Sequence, residues 1–218
     1  MNDDELKHLL SAAQNWLHQG VYTSLGRAHE EGSALAKDLQ EVRHLDPKAI
    51  GPLFGKVKGR VGLLASMEPV PWQPVAGGQL CVGHRPSAKK MEALRFQGAT
   101  HILTLLTGSE GAMSVERLAK SEDLNWLWFA MEGGDPLPEC RDSEAHQLFA
   151  DMRALLAAGN RIYIHCSAGI HRTGMLTNGF LRYLGNSQPQ ADEILAALRQ
   201  ETSEGVGDHR KAWGDRFG

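Results

Sequence analysis

The chain has 218 residues, of which 42% are hydrophobic and 22% charged, close to the averages of globular proteins. Its 23 basic and 26 acidic side chains give a formal net charge of −3, which removes the main argument for nucleic-acid binding. No segment approaches the ~18 consecutive apolar residues that cross a bilayer, and the acidic start of the chain is unlike a secretory signal. We therefore expect a cytoplasmic protein that binds neither nucleic acid nor membrane.

The hydrophobic pattern changes character near residue 70. Residues 1–70 show helical spacing at about 3–19 and 28–45, and they are predicted to form a helical N-terminal extension. The segment from 46 to 78 contains five prolines and several glycines. Because these residues interrupt regular structure, the segment is predicted to be mostly connection.

Residues 71–218 alternate between strand and helix patterns and are predicted to form one domain. The predicted strands lie near 79–83, 101–106, 125–131 and 161–165. The predicted helices lie near 87–97, 114–120 and 142–158, with two or three more between 173 and 217. Such alternation is typical of an α/β fold with a mainly parallel central sheet flanked by helices, to which residues 1–70 would add a helical layer.

Three cysteines, Cys81, Cys140 and Cys166, stand far apart and include no C-x-x-C pair. An odd number at such spacing is unlike a disulfide framework or a zinc site. It indicates a reducing compartment in which at least one thiol is kept for its reactivity. The ten histidines show no metal-ligand spacing, so we expect neither a metal nor another cofactor.

The most informative segment is HCSAGIHRTG, from His165 to Gly174, which joins a predicted strand to a predicted helix. A loop in that position directs several backbone N–H groups into one concavity at the positive end of the helix dipole. Cys166 opens the loop, and such surroundings lower a thiol pKa from ~8.5 to ~3.5–7.5. Arg172 closes it, and a planar guanidinium can hold two oxygens of a phosphate.

Other residues of this segment fit the same chemistry. Gly169 permits a backbone conformation that a side chain would hinder. The hydroxyl of Thr173 can donate a hydrogen bond to the cysteine sulfur when that sulfur is a leaving group. The residues between cysteine and arginine would line the phosphate site: Ser167, Ala168, Gly169, Ile170 and His171.

The order His, Cys, five residues, Arg and then Ser or Thr closely resembles the signature loop of the cysteine-dependent protein tyrosine phosphatases. The Cys-Ser-Ala-Gly-Ile portion is similar to the tyrosine-specific members, whereas His171 stands where a glycine is usual. Leu80-Cys81-Val82-Gly83, followed by a helix and by Ala99-Thr100-His101-Ile102-Leu103, resembles the opening of the dual-specificity members. The resemblance covers roughly residues 75 to 215.

This resemblance implies a phosphotyrosine-phosphatase-like fold and hydrolysis of a phosphomonoester through a cysteinyl-phosphate intermediate. The product would be inorganic phosphate, and no metal would be needed. It also implies that His165 supports the thiolate indirectly, from behind the loop.

The resemblance further implies an aspartate that protonates the leaving group, on a loop roughly thirty residues before the cysteine. Here that loop is Met131–Glu139, and it offers two candidates. Asp135 has the usual side chain, which gives it a narrow preference. Glu132 begins Glu-Gly-Gly-Asp-Pro, which resembles the Asp-Gly-Gly-x-Pro loop of the kinase-associated phosphatase branch, and it remains the alternative. The longer glutamate would displace the proton donor by about 1 Å, enough to cost ~10²-fold in rate.

Two expectations about the substrate follow. The five loop residues include no lysine and the net charge is slightly negative, which favours a phosphorylated protein side chain over a polyphosphate. If the acid is weakened while Cys166 and Arg172 are intact, the chain would instead be a catalytically weak module that binds phosphoproteins.

Overall fold

The computed structural model describes residues 2–218, which form two compact units. One comprises residues 2–69 and 96–98, and the other comprises residues 70–95 and 99–218. The first unit contains three helices: α1 (Asp3–His18), α2 (Leu25–Val42) and α3 (Pro47–Ala65).

The helices of the first unit begin at well-defined caps and pack closely. The Asn2 side chain accepts the Glu5 amide, and the Glu5 carboxylate accepts the Asn2 amide in return, which is a capping box at the start of α1. The indole of Trp16 lies over Gly32 of α2, where a Cβ atom would overlap the ring. The absence of a side chain at 32 therefore allows α1 and α2 to approach each other.

Helix α3 lies where connection was predicted, so that prediction is wrong for residues 47–65. Asp46 caps the helix by accepting the Ala49 amide at 3.0 Å, and Pro47 stands in the first turn, where its missing N–H costs nothing. Ile50, Val57 and Leu64 recur every seven residues and are buried. Tertiary packing of this stripe outweighs the low helix propensity of the glycines and of Pro52.

The second unit is built on a five-stranded sheet. Its strands are β1 (Gln73–Val75), β2 (Gly78–Gly83), β3 (His101–Thr104), β4 (Asn125–Trp128) and β5 (Arg161–His165). Their spatial order is β1-β2-β5-β3-β4, and only the β1–β2 pair is antiparallel. The prediction of an α/β fold with a mainly parallel sheet is confirmed. The short hairpin strand β1 was not predicted, because Pro74 lies within it.

Helices cover both faces of this sheet. They are α4 (Ala88–Phe96), α5 (Ala112–Ser121), α6 (Asp142–Ala157), α7 (His171–Tyr183), α8 (Gln188–Leu198), α9 (Gln200–Gly205) and α10 (Asp208–Lys211). On the central strand β5, Ile162 and Ile164 face a core shared with α6, α7 and α8, whereas Tyr163 faces a core shared with α4 and α5. Burial on both faces explains the continuous apolar pattern of this strand.

The register of the parallel strands brings their carboxyl ends to one edge of the sheet. Gly83 of β2 and Thr104 of β3 both lie beside His165, the last residue of β5. The loops that follow these three strands therefore meet at one place, which is where open α/β sheets bind ligands. Within residues 2–218, no helix is long and apolar enough to cross a membrane.

Candidate active site

The loop of residues 166–170 connects β5 to α7 and curls around the Cys166 sulfur. Cys166 is only 4% exposed, and the Gly169 amide donates a hydrogen bond to its Sγ at 3.2 Å. The sulfur thus lies at the amino end of α7, where backbone N–H groups and the helix dipole supply positive potential.

The pKa of the Cys166 thiol reflects two opposing effects. Burial raises the pKa, because it disfavours the charged thiolate. Hydrogen bonding from the Thr173 side chain and from the amides of Thr173, Gly169 and Ile170 lowers it, and the net result is a pKa below the ordinary value. The Thr173 hydroxyl is buried and has no hydrogen-bond partner of regular geometry within residues 2–218, so its proton is free to turn towards the sulfur.

Gly169 allows the loop to close. Its φ of +69° lies in the left-handed region, which side chains rarely adopt. A Cβ atom at this position would also overlap the carbonyl group of Gly83, at the end of β2. Both conformation and space therefore require glycine here.

Arg172 lies at the start of α7 and is 8% exposed. Glu110 binds its guanidinium with both carboxylate oxygens, Nη1 to Oε2 at 2.6 Å and Nη2 to Oε1 at 2.8 Å. Nη1 also donates to the Met131 carbonyl at 3.0 Å, and Nη2 makes a long contact of 3.4 Å to the Ser167 hydroxyl. The guanidinium also hydrogen-bonds the Cys166 sulfur, so it faces the thiol, and a planar group of this kind is suited to hold two oxygens of a tetrahedral anion.

Glu110 was not found by sequence reasoning. It lies in the loop after β3, and Thr107 holds its Oε2 through the amide at 2.9 Å and the hydroxyl at 3.1 Å. The hydrogen bonds from Arg172 lower the pKa of Glu110 to about 2. Glu110 follows β3, a parallel strand adjacent to β5, and this position is the only signal that could have indicated it. No pattern in the surrounding residues distinguishes this glutamate from others.

His165 is buried behind the loop and belongs to a chain of hydrogen bonds that begins at the half-buried Trp126. The Trp126 indole donates to the Thr104 hydroxyl at 2.9 Å, and that hydroxyl is 2.9 Å from Nε2 of His165. The Cys166 carbonyl, 2.9 Å from Nδ1, can only accept, so Nδ1 of His165 carries the ring proton; in a neutral ring Nε2 then accepts from the Thr104 hydroxyl. Burial lowers the pKa of His165 to about 4, so the ring is neutral.

The remaining loop residues surround the opening. Ser167, Ala168 and His171 are exposed, and Ile170 is half-buried. His171 packs against the loop that follows β4, because a Cβ atom on Gly134 would lie 3.3 Å from the His171 Cβ. The two loops that carry the predicted chemistry are therefore in contact.

Both candidate acids lie on that second loop, and both are exposed. The Asp135 carboxylate is 90% exposed and lies 4.0 Å from Nη2 of Arg210. Glu132 makes no hydrogen bond or ion pair within residues 2–218, but it directly follows Met131, whose carbonyl contacts Arg172. Arg210 also donates from Nε to the Gly134 carbonyl, which anchors the loop.

The other cysteines lie outside this arrangement. Cys81 is buried on β2, and burial raises the pKa of its thiol to about 11, whereas Cys140 is exposed after the second loop. Within residues 2–218, no cluster of three or more His, Cys, Asp or Glu side chains is suited to hold a metal ion.

No family model and no curated protein matches the sequence. Solved structures do match it. A kinase associated phosphatase whose catalytic-site cysteine is substituted by serine shares 16% identity over 70% of this chain and 96% of its own, with a TM-score of 0.56. The active form of Tk-PTP shares 16% identity over 69% of this chain and 96% of its own (TM-score 0.54), and PTPMT1 shares 15% over 67% and 94% (TM-score 0.52). The chain therefore shares the α/β fold of these phosphatases.

Proposed function

We propose that this protein hydrolyses phosphomonoesters through a phosphate bound covalently to Cys166. One observation carries the proposal: the Cys166 sulfur accepts the Gly169 amide at 3.2 Å, beside a guanidinium that Glu110 holds in place. The hydrogen bonds that lower the pKa of the Cys166 thiol favour the thiolate, which is the nucleophilic form of cysteine. The phosphatases named among the structural neighbours share this fold and support the same reaction class.

In this proposal the phosphate enters the loop as a dianion. The amides of residues 167–172 and the Nε and Nη2 groups of Arg172 hold its non-bridging oxygens. The same donors stabilise the transition state, in which charge spreads over these oxygens. The amino end of α7 adds its dipole to this positive surface.

The first chemical step forms the bond between Cys166 Sγ and phosphorus and breaks the bond between phosphorus and the ester oxygen. The departing oxygen takes a proton from a carboxylic acid on the loop after β4, either Asp135 or Glu132. In the second step water attacks the phosphorus, its proton passes to that carboxylate, and the sulfur–phosphorus bond breaks. Thr173 then donates a hydrogen bond to the departing thiolate, and inorganic phosphate is released.

The substrate class we propose is a phosphorylated protein side chain, phosphotyrosine or a dual-specificity substrate. The loop residues between Cys166 and Arg172 offer no lysine to a second phosphate. The free thiols of Cys81, Cys140 and Cys166 fit a reducing, cytoplasmic location for such a protein.

The test is hydrolysis of para-nitrophenyl phosphate and of a phosphotyrosine peptide, with acid quenching to trap phosphate on the protein. Wild type and Cys140→Ser, which removes an exposed thiol, should both hydrolyse the substrates, and both should carry the trapped phosphate on Cys166. Cys166→Ser should lose turnover while still binding orthovanadate. Full activity of Cys166→Ser would contradict the mechanism. Phosphopeptide binding by wild type without any turnover would favour the weakly catalytic binding module instead.

A further inference from the structure

Two peptide groups of the loop of residues 166–170, here called the phosphate loop, direct their N–H groups to the Cys166 sulfur and their carbonyls to the outer side of the loop. In a trans peptide group the N–H and the C=O point in opposite directions. The group that joins Ala168 to Gly169 directs its N–H to Cys166 Sγ, and the next group directs the Ile170 N–H towards the same sulfur. The carbonyls of Ala168 and Gly169 must therefore point away from the sulfur and need donors of their own.

One side chain supplies most of those donors. Nη1 of Arg199 lies 3.1 Å from the Ala168 carbonyl and 3.1 Å from the Gly169 carbonyl. The hydroxyl of Thr202 donates a second hydrogen bond to the Gly169 carbonyl at 2.6 Å. The outward carbonyls of both peptide groups thus accept hydrogen bonds from one short segment, residues 199–202.

The backbone is arranged to bring Arg199 there. Arg199 separates α8 from α9 and has an extended conformation, with φ −169° and ψ 116°. Its side chain is only 17% exposed, and Nε lies 3.4 Å from the Glu201 carboxylate. Nη2 lies 2.8 Å from Nε2 of His84; an arginine can only donate, so this histidine nitrogen accepts.

His84 is fixed in turn from the sheet. The Tyr163 hydroxyl donates to the His84 carbonyl at 2.9 Å, and the adjacent Arg85 amide donates to the Ser167 carbonyl at 3.0 Å. Arg199 therefore links the loop after β2 to the outer side of the phosphate loop.

We propose that Arg199 is a positioning residue, which fixes the two peptide groups whose N–H groups face the Cys166 sulfur. A charged donor is suited to this task, because its hydrogen bonds to carbonyls are stronger than those of a neutral group and oppose rotation of the peptide planes. Arg199 contacts the far side of the loop, away from the sulfur and the phosphate. The inference rests on the proposed function only for its consequence on turnover.

The experiment measures the thiolate directly. The rate of Cys166 alkylation by iodoacetamide, followed by mass spectrometry across pH 4 to 10, gives the apparent pKa of this thiol. Arg199→Met keeps an unbranched apolar stem but removes all donors. Arg153→Met, at an exposed position on α6, is the matched control. Affinity for orthovanadate and kcat and KM for para-nitrophenyl phosphate are measured on the same variants.

Arg199→Met should raise the apparent thiol pKa by roughly one unit, which leaves about tenfold less thiolate at acidic pH. It should also weaken vanadate binding and lower kcat by a similar factor. Arg199→Lys keeps the charge and can donate to the carbonyls, but one nitrogen replaces the two that contact the carbonyls and His84, so its effect should be intermediate. Arg153→Met should match wild type.

An alkylation profile of Arg199→Met that coincides with that of Arg153→Met would overturn the inference. If Arg199→Met does not fold by circular dichroism, Arg199→Lys decides: a raised pKa supports the inference, and a wild-type profile overturns it. Failure of wild type to hydrolyse any phosphomonoester would refute the proposed function, while the alkylation profiles would still test Arg199.

Discussion

Glu110 holds the Arg172 guanidinium with both of its carboxylate oxygens, across 62 residues of sequence, at 2.6 and 2.8 Å. The Arg172 side chain is 10% exposed, so leaving its charge without a partner would be costly. The pair also fixes the plane of the guanidinium and therefore the direction of its Nε–H. Glu110 therefore orients Arg172, the residue for which phosphate binding is proposed.

Replacing Glu110 by glutamine should impair the site without unfolding the protein. Glu110→Gln retains one acceptor but places an NH₂ group against the guanidinium. We expect kcat for para-nitrophenyl phosphate to fall by on the order of 10- to 100-fold, as for a catalytic group misplaced by about 1 Å, with weaker vanadate binding. Glu116→Gln, which removes a pair with Lys120 on the surface of α5, is the control and should be neutral. Equal kinetics in both variants would show that the ion pair does not orient Arg172.

The same ion pair predicts a pH dependence of stability. The pKa of Glu110 is lowered from 4.5 to about 2 in the folded protein. Its contribution to the free energy of unfolding is therefore fully present above about pH 4.5 and is lost as the pH falls towards 2. Urea titrations between pH 5 and pH 2 should show a steeper loss of stability for wild type than for Glu110→Gln. Parallel pH curves would contradict the assigned pKa.

His165 should remain neutral far below the ordinary pKa of a histidine. Its pKa is about 4, lowered from 6.5 by burial, so nitrogen-detected NMR should show a neutral ring with the proton on Nδ1 at pH 5. The unfolded chain protonates this histidine at a higher pH than the folded protein does. The contribution of neutral His165 to the free energy of unfolding is therefore fully present above pH 6.5 and is lost as the pH falls towards 4. Thr104→Val removes the donor to Nε2 and should shift the Nε2 resonance, whereas the Cys166 carbonyl still keeps the proton on Nδ1. An imidazolium signal in wild type at pH 5 would refute the hydrogen-bond chain.

Alanine substitution at two glycines with positive φ should distinguish the effect of backbone conformation from that of steric overlap. Gly159 has φ +81° with open space around it, so Gly159→Ala should cost only about 1–2 kcal/mol of stability. Gly169 has φ +69°, and a methyl group there would overlap the Gly83 carbonyl. Gly169→Ala should therefore cost more and abolish vanadate binding. If the two variants are equally stable in urea and both bind vanadate, the loop is not closed as described.

The strand, loop and helix around Cys166 could be predicted from sequence because their determinants are local. Cys166, Gly169 and Arg172 stand within seven residues, between a strand and a helix whose patterns are strong. The predicted limits of β5 agree with the structure. Parallel strands with a strong apolar pattern also allowed the sheet class to be predicted.

The residues that support the loop could not be predicted in this way. Glu110 and Arg199 reach the site only through the order of the strands and the break between α8 and α9. An isolated glutamate or arginine in a sequence of ordinary charge carries no signal of its own. For α3, the glycines and prolines favoured a loop, and only packing of its buried stripe decides the structure.

The identity of the general acid can be tested from the geometry of the loop after β4. The Met131 carbonyl accepts from Arg172 Nη1 at 3.0 Å, so the next residue, Glu132, begins beside Arg172. Asp135 lies three residues further along, with Arg210 at 4.0 Å. We therefore expect Glu132→Gln to have the larger effect on turnover and Asp135→Asn the smaller.

The choice of substrate makes this prediction sharp. A phenyl ester needs a proton for its leaving group far more than a para-nitrophenyl ester does. Glu132→Gln should therefore lower kcat for phenyl phosphate by roughly 10²-fold or more, and much less for para-nitrophenyl phosphate. Glu132→Asp tests reach, because it shortens the side chain by one methylene while keeping the acid. A larger and leaving-group-dependent loss in Asp135→Asn would transfer the role to Asp135, and no loss in either variant would remove the acid from the mechanism.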